Sequence, residues 1–326
     1  MISTDQPAAG REPTDDRRAA AVELGHALAE SVADPEAVTA VAERGLRHLA
    51  RAADRAELLR VAPELDGFVG VAFSTVERAG RIFARQTRRD SPMNTLLAVE
   101  RLFNLPILEA RWLAMPILER LVVIDPERTW QLLRRASREA RDWITVDALA
   151  HPVGRGVLAE AFRWSELGQL VFAPSSWERR LVGSTIATLP FVDRDLGRDP
   201  VVANRGLELI ATLIGDDRPE VQKALAWALR SLTLVDPHAV RSFLDREAVS
   251  AAAAADGHRA WVVREALVKL DPAFAAHVRG QLAGVRRRSG SPSTSAAAAT
   301  ASAFVEAGGS PPLGGPHRER IPVAAR

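Results

Sequence analysis

The 326-residue chain contains no cysteine. That excludes disulfides, thiol catalysis and zinc sites built on thiolates, and it fits a reducing cytoplasm. The seven histidines are scattered without a His-Glu-x-x-His pair, so neither a metal site nor a cofactor is expected. No stretch approaches the ~20 continuous apolar residues that cross a bilayer. The N-terminal MISTDQPAAGREPTDDRR lacks the apolar core of a secretory signal. Tyrosine is also missing, and lysine nearly so: of 43 basic side chains only Lys223 and Lys269 are lysine. Codon composition is the plain reading of that bias, although arginine does suit bidentate contact with phosphate.

What is present is ordinary for a soluble globular protein. Hydrophobic residues make up 47% and charged residues 26%. The length suffices for one large domain or two ordinary ones. The net charge of +2 conceals segregation: −5 over residues 1–74, +3 over 75–230, zero over 231–285 and +4 over 286–326. The chain is no polycation, so a nucleic-acid surface must come from local clustering.

Nearly every segment reads as helix, rich in Ala, Leu, Glu and Arg and without strand-like alternation. LVVIDPERTWQLL from Leu121, LTLVDPHAVRSFL from Leu232 and LVKLDPAFAAHVR from Leu267 share one design. An apolar helix end is followed by Asp as N-cap, Pro at the first helical position and a new apolar periodicity. Asp199–Pro200 and Asp217–Arg218–Pro219 punctuate the chain in a similar way. The last two of these units start 35 residues apart, a fitting length for a helix pair. The expected fold is all-α, an α-solenoid of HEAT-like helical repeats whose inner helices line a concave cationic groove. A compact irregular bundle is the alternative. Residues 1–17 are expected to be a disordered N-terminus and 18–285 the helical domain. Residues 286–326, rich in Gly, Pro, Ser and Ala, are expected to be a disordered low-complexity tail.

Four clusters could carry chemistry. In RRASREARDWITVD, Arg134, Arg138 and Arg141 make a cationic stripe on a helix end, where they also suit the helix dipole. Trp143 and Asp147 then share a face at i and i+4, with Asp142 in front as a cap. A Trp–Asp face suits a groove better than a core, because a carboxylate is rarely buried unpaired. An Asp147–Arg pair covering the ring is the competing arrangement. In PEVQKALAWALRSL, Val221, Leu225, Ala228 and Leu232 define the apolar face. Lys223, Trp227, Arg230 and Ser231 fall elsewhere. In APSSWERRLVGS, Ser175 or Ser176 caps a helix whose first turns hold Trp177, Arg179 and Arg180, an arrangement suited to phosphate. In STVERAGRIFARQTRR, Arg78, Arg81, Arg85 and Arg88 form one helical stripe. Taken singly, each has a bland reading as a solvated or structural helix face.

Together these segments resemble the AlkD-like DNA alkylation repair glycosylases, which are built from HEAT-like repeats. DWITVDALA, SSWERRLVGSTI and VQKALAWALRSL carry the resemblance, with FVGVAFSTVERAGRIFA from Phe68 as an early match. It is strongest over residues 65–250. The resemblance implies a monofunctional glycosylase that excises cationic N3- or N7-alkylated purines from duplex DNA without flipping the lesion into a pocket. It further implies that Asp147 is the catalytic acid, with Trp143 and Trp227 beside the lesion. Arg179 or Arg180 matches the phosphate-binding arginine. Lys223, Arg230, Arg141 and Arg138 are further candidates for DNA phosphates. Members of the family often place a tyrosine near the lesion, and here there is none. The expected partner is double-stranded DNA with alkylated bases, met by a monomer in the cytoplasm, at the nucleoid. A non-catalytic DNA-structure binder and a HEAT-like protein-interaction scaffold are the alternatives on the same fold.

Overall fold

The structure, a computed structural model, describes residues 15–63 and 65–307. Among these residues it contains sixteen α-helices and no strand. The all-α, helical-repeat reading stands. The chain divides into two compact units, residues 1–136 with 151–156, and residues 137–150 with 157–326.

The first unit contains α1 (Asp15–Glu30), α2 (Pro35–Leu49), α3 (Ala52–Val61), α4 (Phe73–Gln86), α5 (Pro92–Asn104) and α6 (Leu108–Ile124). Helices α1, α4 and α6 pack in succession as one layer, and α2 and α5 cover them as a second. Helices α7 (Pro126–Glu139) and α8 (Trp143–Ala159) contribute residues to both units. The second unit adds α9 (Arg163–Gln169), α10 (Ser176–Val192), α11 (Pro200–Leu213), α12 (Pro219–Leu232), α13 (Pro237–Ala253), α14 (Gly257–Ala266), α15 (Pro272–Gln281) and α16 (Ala296–Glu306). Here α10, α12 and α14 form one layer and α11, α13 and α15 the other. Each unit thus alternates successive helices between two layers, as helical repeats do.

The periodicity of α12 shows how sequence builds this packing. Its predicted apolar face, Val221, Leu225, Ala228 and Leu232, is 0% exposed throughout. Burial of each large side chain contributes roughly 1.5–3 kcal/mol. The Asp-Pro boundaries work as caps. Asp199, Asp236 and Asp271 each accept a backbone N–H from the first turn of the helix they precede, and Asp34 does the same before α2. Asp217 departs from that pattern, because Arg218 takes the N-cap position before Pro219 and makes no side-chain bond there.

A buried carboxylate organises the first unit. Glu109, at the start of α6, is 0% exposed. Its Oε1 accepts the N–H groups of Val69, Gly70 and Val71 at 3.2, 2.7 and 3.0 Å. Three consecutive N–H groups aimed at one anion form a nest. Gly70 makes it possible, with φ +96 and an Arg55 Cβ only 2.7 Å from where its own Cβ would stand.

Two expectations about the chain ends need correction. Residues 15–17 are the start of α1 rather than a disordered N-terminus, and Arg17 is buried against Asp54. Residues 1–14 lie outside the described residues. Residues 286–307, expected to be disordered, pack onto the second unit instead. Thr294 donates its N–H to the Gly215 carbonyl at 2.9 Å, and its hydroxyl bonds Asp256. The His258 ring meets the Ser291 carbonyl at 3.0 Å, and Arg287 donates to Gln222 at 2.8 Å. Ser295 and Ala297 are buried, and α16 follows. A compositional reading looks for large apolar residues. This segment is held by hydrogen bonds and by small side chains that lie close to a turn. Residues 308–326 lie outside the described residues.

Two outcomes follow for stability. Glu109→Ala orphans a nest of buried N–H groups at roughly 1–3 kcal/mol each. The denaturant midpoint should fall by the equivalent of at least about 3 kcal/mol, with little change in slope. An unchanged midpoint would remove Glu109 from this role. The second outcome concerns acid. Burial disfavours the charged Asp256, but bonds from Thr294 and Arg259 outweigh it and hold the carboxyl below its ordinary 3.8. The stability this supplies is complete above the unfolded value and is lost as pH falls through the lower folded one. Melting temperature against pH should therefore show a steeper decline below about pH 4 in the wild type than in Asp256→Asn.

Candidate functional site

Helix α8 begins at Trp143 because Asp142 caps it. The Asp142 carboxylate accepts the Thr145 N–H at 2.7 Å and the Thr145 hydroxyl at 2.8 Å. That fixes the register of the first turn and sets Trp143 and Asp147 on one face, four residues apart. Trp143 is half-buried, so it is not a core tryptophan.

Helix α10 supplies the partners of Asp147. Arg180 donates from Nε to Oδ1 at 3.0 Å and from its terminal nitrogen to Oδ2 at 2.7 Å. Ser184, one turn on, donates its hydroxyl to Oδ1 at 2.6 Å. Thr188, a further turn along, reaches the Ala150 carbonyl at 3.3 Å. Arg180, Ser184 and Thr188 are thus a polar seam at i, i+4 and i+8 that docks α10 on α8. The other guanidinium nitrogen of Arg180 donates to the Glu220 carbonyl in the first turn of α12 at 2.7 Å. One arginine ties three helices together. Helices α10 and α12 come close because Gly183 carries no side chain. A Cβ there would stand 2.9 Å from the Ala224 carbonyl carbon and its Cβ.

The pair is mostly buried, with side-chain exposures of 7% for Arg180 and 19% for Asp147. A fork-to-fork arginine–carboxylate contact holds orientation as well as charge. Of the roughly four lone-pair sites on a carboxylate, three are taken. The remaining one is on Oδ2, which accepts a single bond.

The other candidates from the sequence fall in several places. Arg179 takes different partners and donates to the buried Asp216 at 2.7 Å and to the Ala173 and Pro174 carbonyls. Arg179 and Arg180 are therefore both engaged in internal ties, and the Asp147–Arg pair that the sequence left as the competing arrangement is present. Ser175 occupies the N-cap position of α10 without a side-chain bond, and Ser176 donates to the Glu220 carboxylate at 2.6 Å. Burial opposes the charge on that carboxyl, but bonds from Ser176 and its own N–H, with Arg218, hold it below the ordinary carboxylate range. Trp227 is half-buried on α12, two turns beyond Glu220, and Lys223 is exposed on the same helix. Arg230 bonds the Glu265 carbonyl at 3.0 Å, and burial pulls its pKa down. Arg138 and Arg141 are exposed at the end of α7, where Arg141 bonds the Arg138 and Ala140 carbonyls. That is the helix-end role their spacing also allowed. Sequence reasoning missed Ser184, Asp216 and Glu220 as partners. The i, i+4 spacing of Arg180 and Ser184 was the available signal for the first. Among the described residues no cluster of three or more His, Cys, Asp or Glu is arranged to hold a metal ion. Nor is any described helix long and apolar enough to cross a membrane.

A family model for DNA alkylation repair enzymes matches residues 42–270. The chain belongs to the DNA alkylation repair enzyme family. Searches of curated proteins and of solved structures returned no match. The family match takes in α3 to α14, and so every residue of the Asp147 cluster. Membership places the chain among enzymes that repair alkylated DNA.

Removing either partner of a buried ion pair leaves the other charge uncompensated, at roughly 3–5 kcal/mol. Arg180→Ala and Asp147→Ala should each lower unfolding free energy by about 3 kcal/mol. The double variant should lose less than the sum, by about 0.5 to 3 kcal/mol on the usual scale of coupled neighbours. Strict additivity in denaturant melts would mean that the pair does not couple α8 to α10.

Proposed function

We propose that the protein is a monofunctional DNA N-glycosylase that excises cationic N3- or N7-alkylated purines from duplex DNA. Asp147 is its catalytic carboxylate, and Trp143 and Trp227 flank the lesion. The observation that carries this reading is the state of Asp147. Arg180 and Ser184 hold it in one orientation beside a half-exposed tryptophan, and one acceptor site on Oδ2 is left open.

The chemistry suits such a group. Alkylation at N3 or N7 gives the purine a positive charge, so it leaves readily without being protonated. The C1′–N9 bond breaks, its electron pair goes to the purine, and the base departs neutral. Positive charge then develops on the deoxyribose. A fixed carboxylate stabilises that charge, and its free lone pair orients a water whose oxygen attacks C1′. The water's proton passes to the carboxylate or to solvent. A neutralising arginine weakens the long-range field of the acid, so most of the effect comes from fixed placement. The indole faces of Trp143 and Trp227 contribute about 0.5–2 kcal/mol each toward a cation. The protein acts as a monomer on alkylated duplex DNA, at the nucleoid, without a cofactor. Lys223, Arg138 and Arg141 remain the exposed candidates for phosphate contact among those read from sequence. Arg179, Arg180 and Arg230 act chiefly by positioning.

One observation favours a second reading. The Arg180–Asp147 pair also has the form of a strut, and a strut alone would serve a non-catalytic DNA-structure binder. Base release separates the two. Duplex DNA containing 7-methylguanine or 3-methyladenine should lose the free base to the purified protein, followed by chromatography. Asp147→Asn, which keeps the shape of the side chain, should slow release by at least about a hundredfold while its melting curve shows a folded protein. A wild type that binds the duplex but releases no base would leave the strut reading in place.

A further inference from the structure

Residues 286–307 lie past residue 270, where the family match ends, yet the second unit is shaped to receive them. Two glycines make the room. A Cβ on Gly215, in the turn before α12, would stand 2.5 Å from the Thr294 hydroxyl and 3.0 Å from the Ser295 nitrogen. A Cβ on Gly257, the first residue of α14, would stand 2.3 Å from the Arg286 carbonyl oxygen. A side chain at either position would displace the segment. A tail that only rested on the surface would need neither glycine.

The segment closes on the stretch from Gly215 to Gln222. The Thr294 N–H and the Ser293 hydroxyl donate to the Gly215 carbonyl at 2.9 and 3.3 Å. Arg287 donates to Gln222 Oε1 at 2.8 Å, and its guanidinium lies 5.7 Å from the centroid of the Trp261 ring. Gln222 is 0% exposed. An arginine can only donate, so the Gln222 amide oxygen faces Arg287 and the amide nitrogen faces the other way. That nitrogen donates to the Asp216 carbonyl at 2.5 Å and to His258 Nδ1 at 3.1 Å. Nδ1 therefore accepts, and the ring proton sits on Nε2, which donates to the Ser291 carbonyl at 3.0 Å. Both polar ends of Gln222 are used, and Arg287 sets the direction of every bond in the chain.

The same stretch is held from α10. Arg179 bonds the Asp216 carboxylate and Arg180 the Glu220 carbonyl, while Arg180 also grips Asp147. The Glu220 carbonyl can fix Arg180 only as firmly as its own backbone is fixed. Asp216 and Gln222, on either side of it in the chain, are tied by the bonds that Arg287 directs. Helix α12 then carries that register on to Trp227. A catalytic group stays in place only where the residues that hold it are themselves held.

We propose that residues 286–295 are a positioning strap for the Asp147 site. Arg287 and Thr294 fix the Gly215–Gln222 stretch from the α14 side. Arg180 takes its place from that stretch at the Glu220 carbonyl and orients Asp147 accordingly. Arg287 is a positioning residue: it acts through Gln222 and Arg180, without touching DNA. The inference rests on the reading of Asp147 as the catalytic carboxylate. The mechanical coupling of the strap to the start of α8 is measurable apart from that reading.

The test uses the full chain and the variants Arg287→Ala, Arg287→Lys, Thr294→Val and Arg288→Ala. The first measurement is single-turnover excision from a 7-methylguanine duplex at saturating enzyme, well below the melting temperature. Arg287→Ala and Thr294→Val should slow it by about tenfold, short of the ~10²-fold that a misplacement of about 1 Å can cost. Their affinity for undamaged duplex should equal that of the wild type. Arg287→Lys, which can still donate to Gln222, should recover most of the rate. Arg288→Ala, which removes an exposed arginine of the same charge, should match the wild type in both respects. The second measurement is amide hydrogen exchange. Arg287→Ala should speed exchange over residues 215–224 and also over 142–150, which the strap does not touch. Unchanged exchange over 142–150 would overturn the proposal and leave the strap a stabilising clip, as would a wild-type excision rate in both strap variants. Weaker duplex binding shared by Arg287→Ala and Arg288→Ala would also overturn it, by making the segment a phosphate contact. A wild type that excises nothing defeats the glycosylase reading, and exchange over 142–150 then decides the strap by itself. Excision that ignores Arg287 and Thr294 defeats this inference alone.

Discussion

The second unit depends on one ion pair. Arg180 reaches Asp147 on α8 and the Glu220 carbonyl on α12 from its seat on α10, so a single guanidinium sets the positions of three helices. Both side chains are mostly out of water, and neither can be withdrawn without stranding its partner. The sequence around the pair serves it. Gly183 lets α10 approach α12, Ser184 fills a second site on the carboxylate, and Asp142 fixes the turn from which Asp147 projects. An acid that is needed in one orientation has to be held by groups that are themselves held. Here the holding group is also what joins the repeats.

Much of the fold can be read from the sequence because its signals are local. Asp-Pro boundaries mark helix starts by the chemistry of the N-cap, and the apolar face of α12 appears directly in the spacing of Val221, Leu225, Ala228 and Leu232. The Trp143–Asp147 face is legible for the same reason, since i and i+4 on one helix need no knowledge of the rest of the chain. Partnerships are not local. Arg179 and Arg180 are adjacent and chemically identical, yet one turns to Asp216 and the other to Asp147. Which direction each takes depends on where α8 and α12 lie. Sequence therefore identified a pair of arginines at a helix start but not that both are directed inward.

The two chain ends show another limit of composition. A tail rich in Ser, Thr, Ala and Gly cannot bury much apolar surface, which is the usual reason to expect disorder. Residues 286–307 instead use hydrogen bonds to a turn at Gly215 and to Asp256 and His258, with Ser295 and Ala297 small enough to lie against the helix ends. The same device appears at Glu109, where one buried carboxylate orders a loop by accepting three N–H groups. In both places the polar bonds are long-range in sequence, so no local pattern announces them.

A carboxylate in a DNA-binding protein works against affinity, and that bears on how the parts fit together. Asp147 repels phosphate, and Arg180 is its answer only at short range: the pair is close to neutral, so it neither attracts nor strongly expels the strand. Affinity must then come from cations that no acid neutralises. If Asp147 is the catalytic acid proposed above, binding and chemistry fall to different residues. On the proposed reading, the acid is kept still and compensated where a sugar cation would form, and the strand is held by other charges. Such a division favours reading backbone and shape over bases, which suits a family that repairs alkylated DNA, where damage is not tied to one sequence.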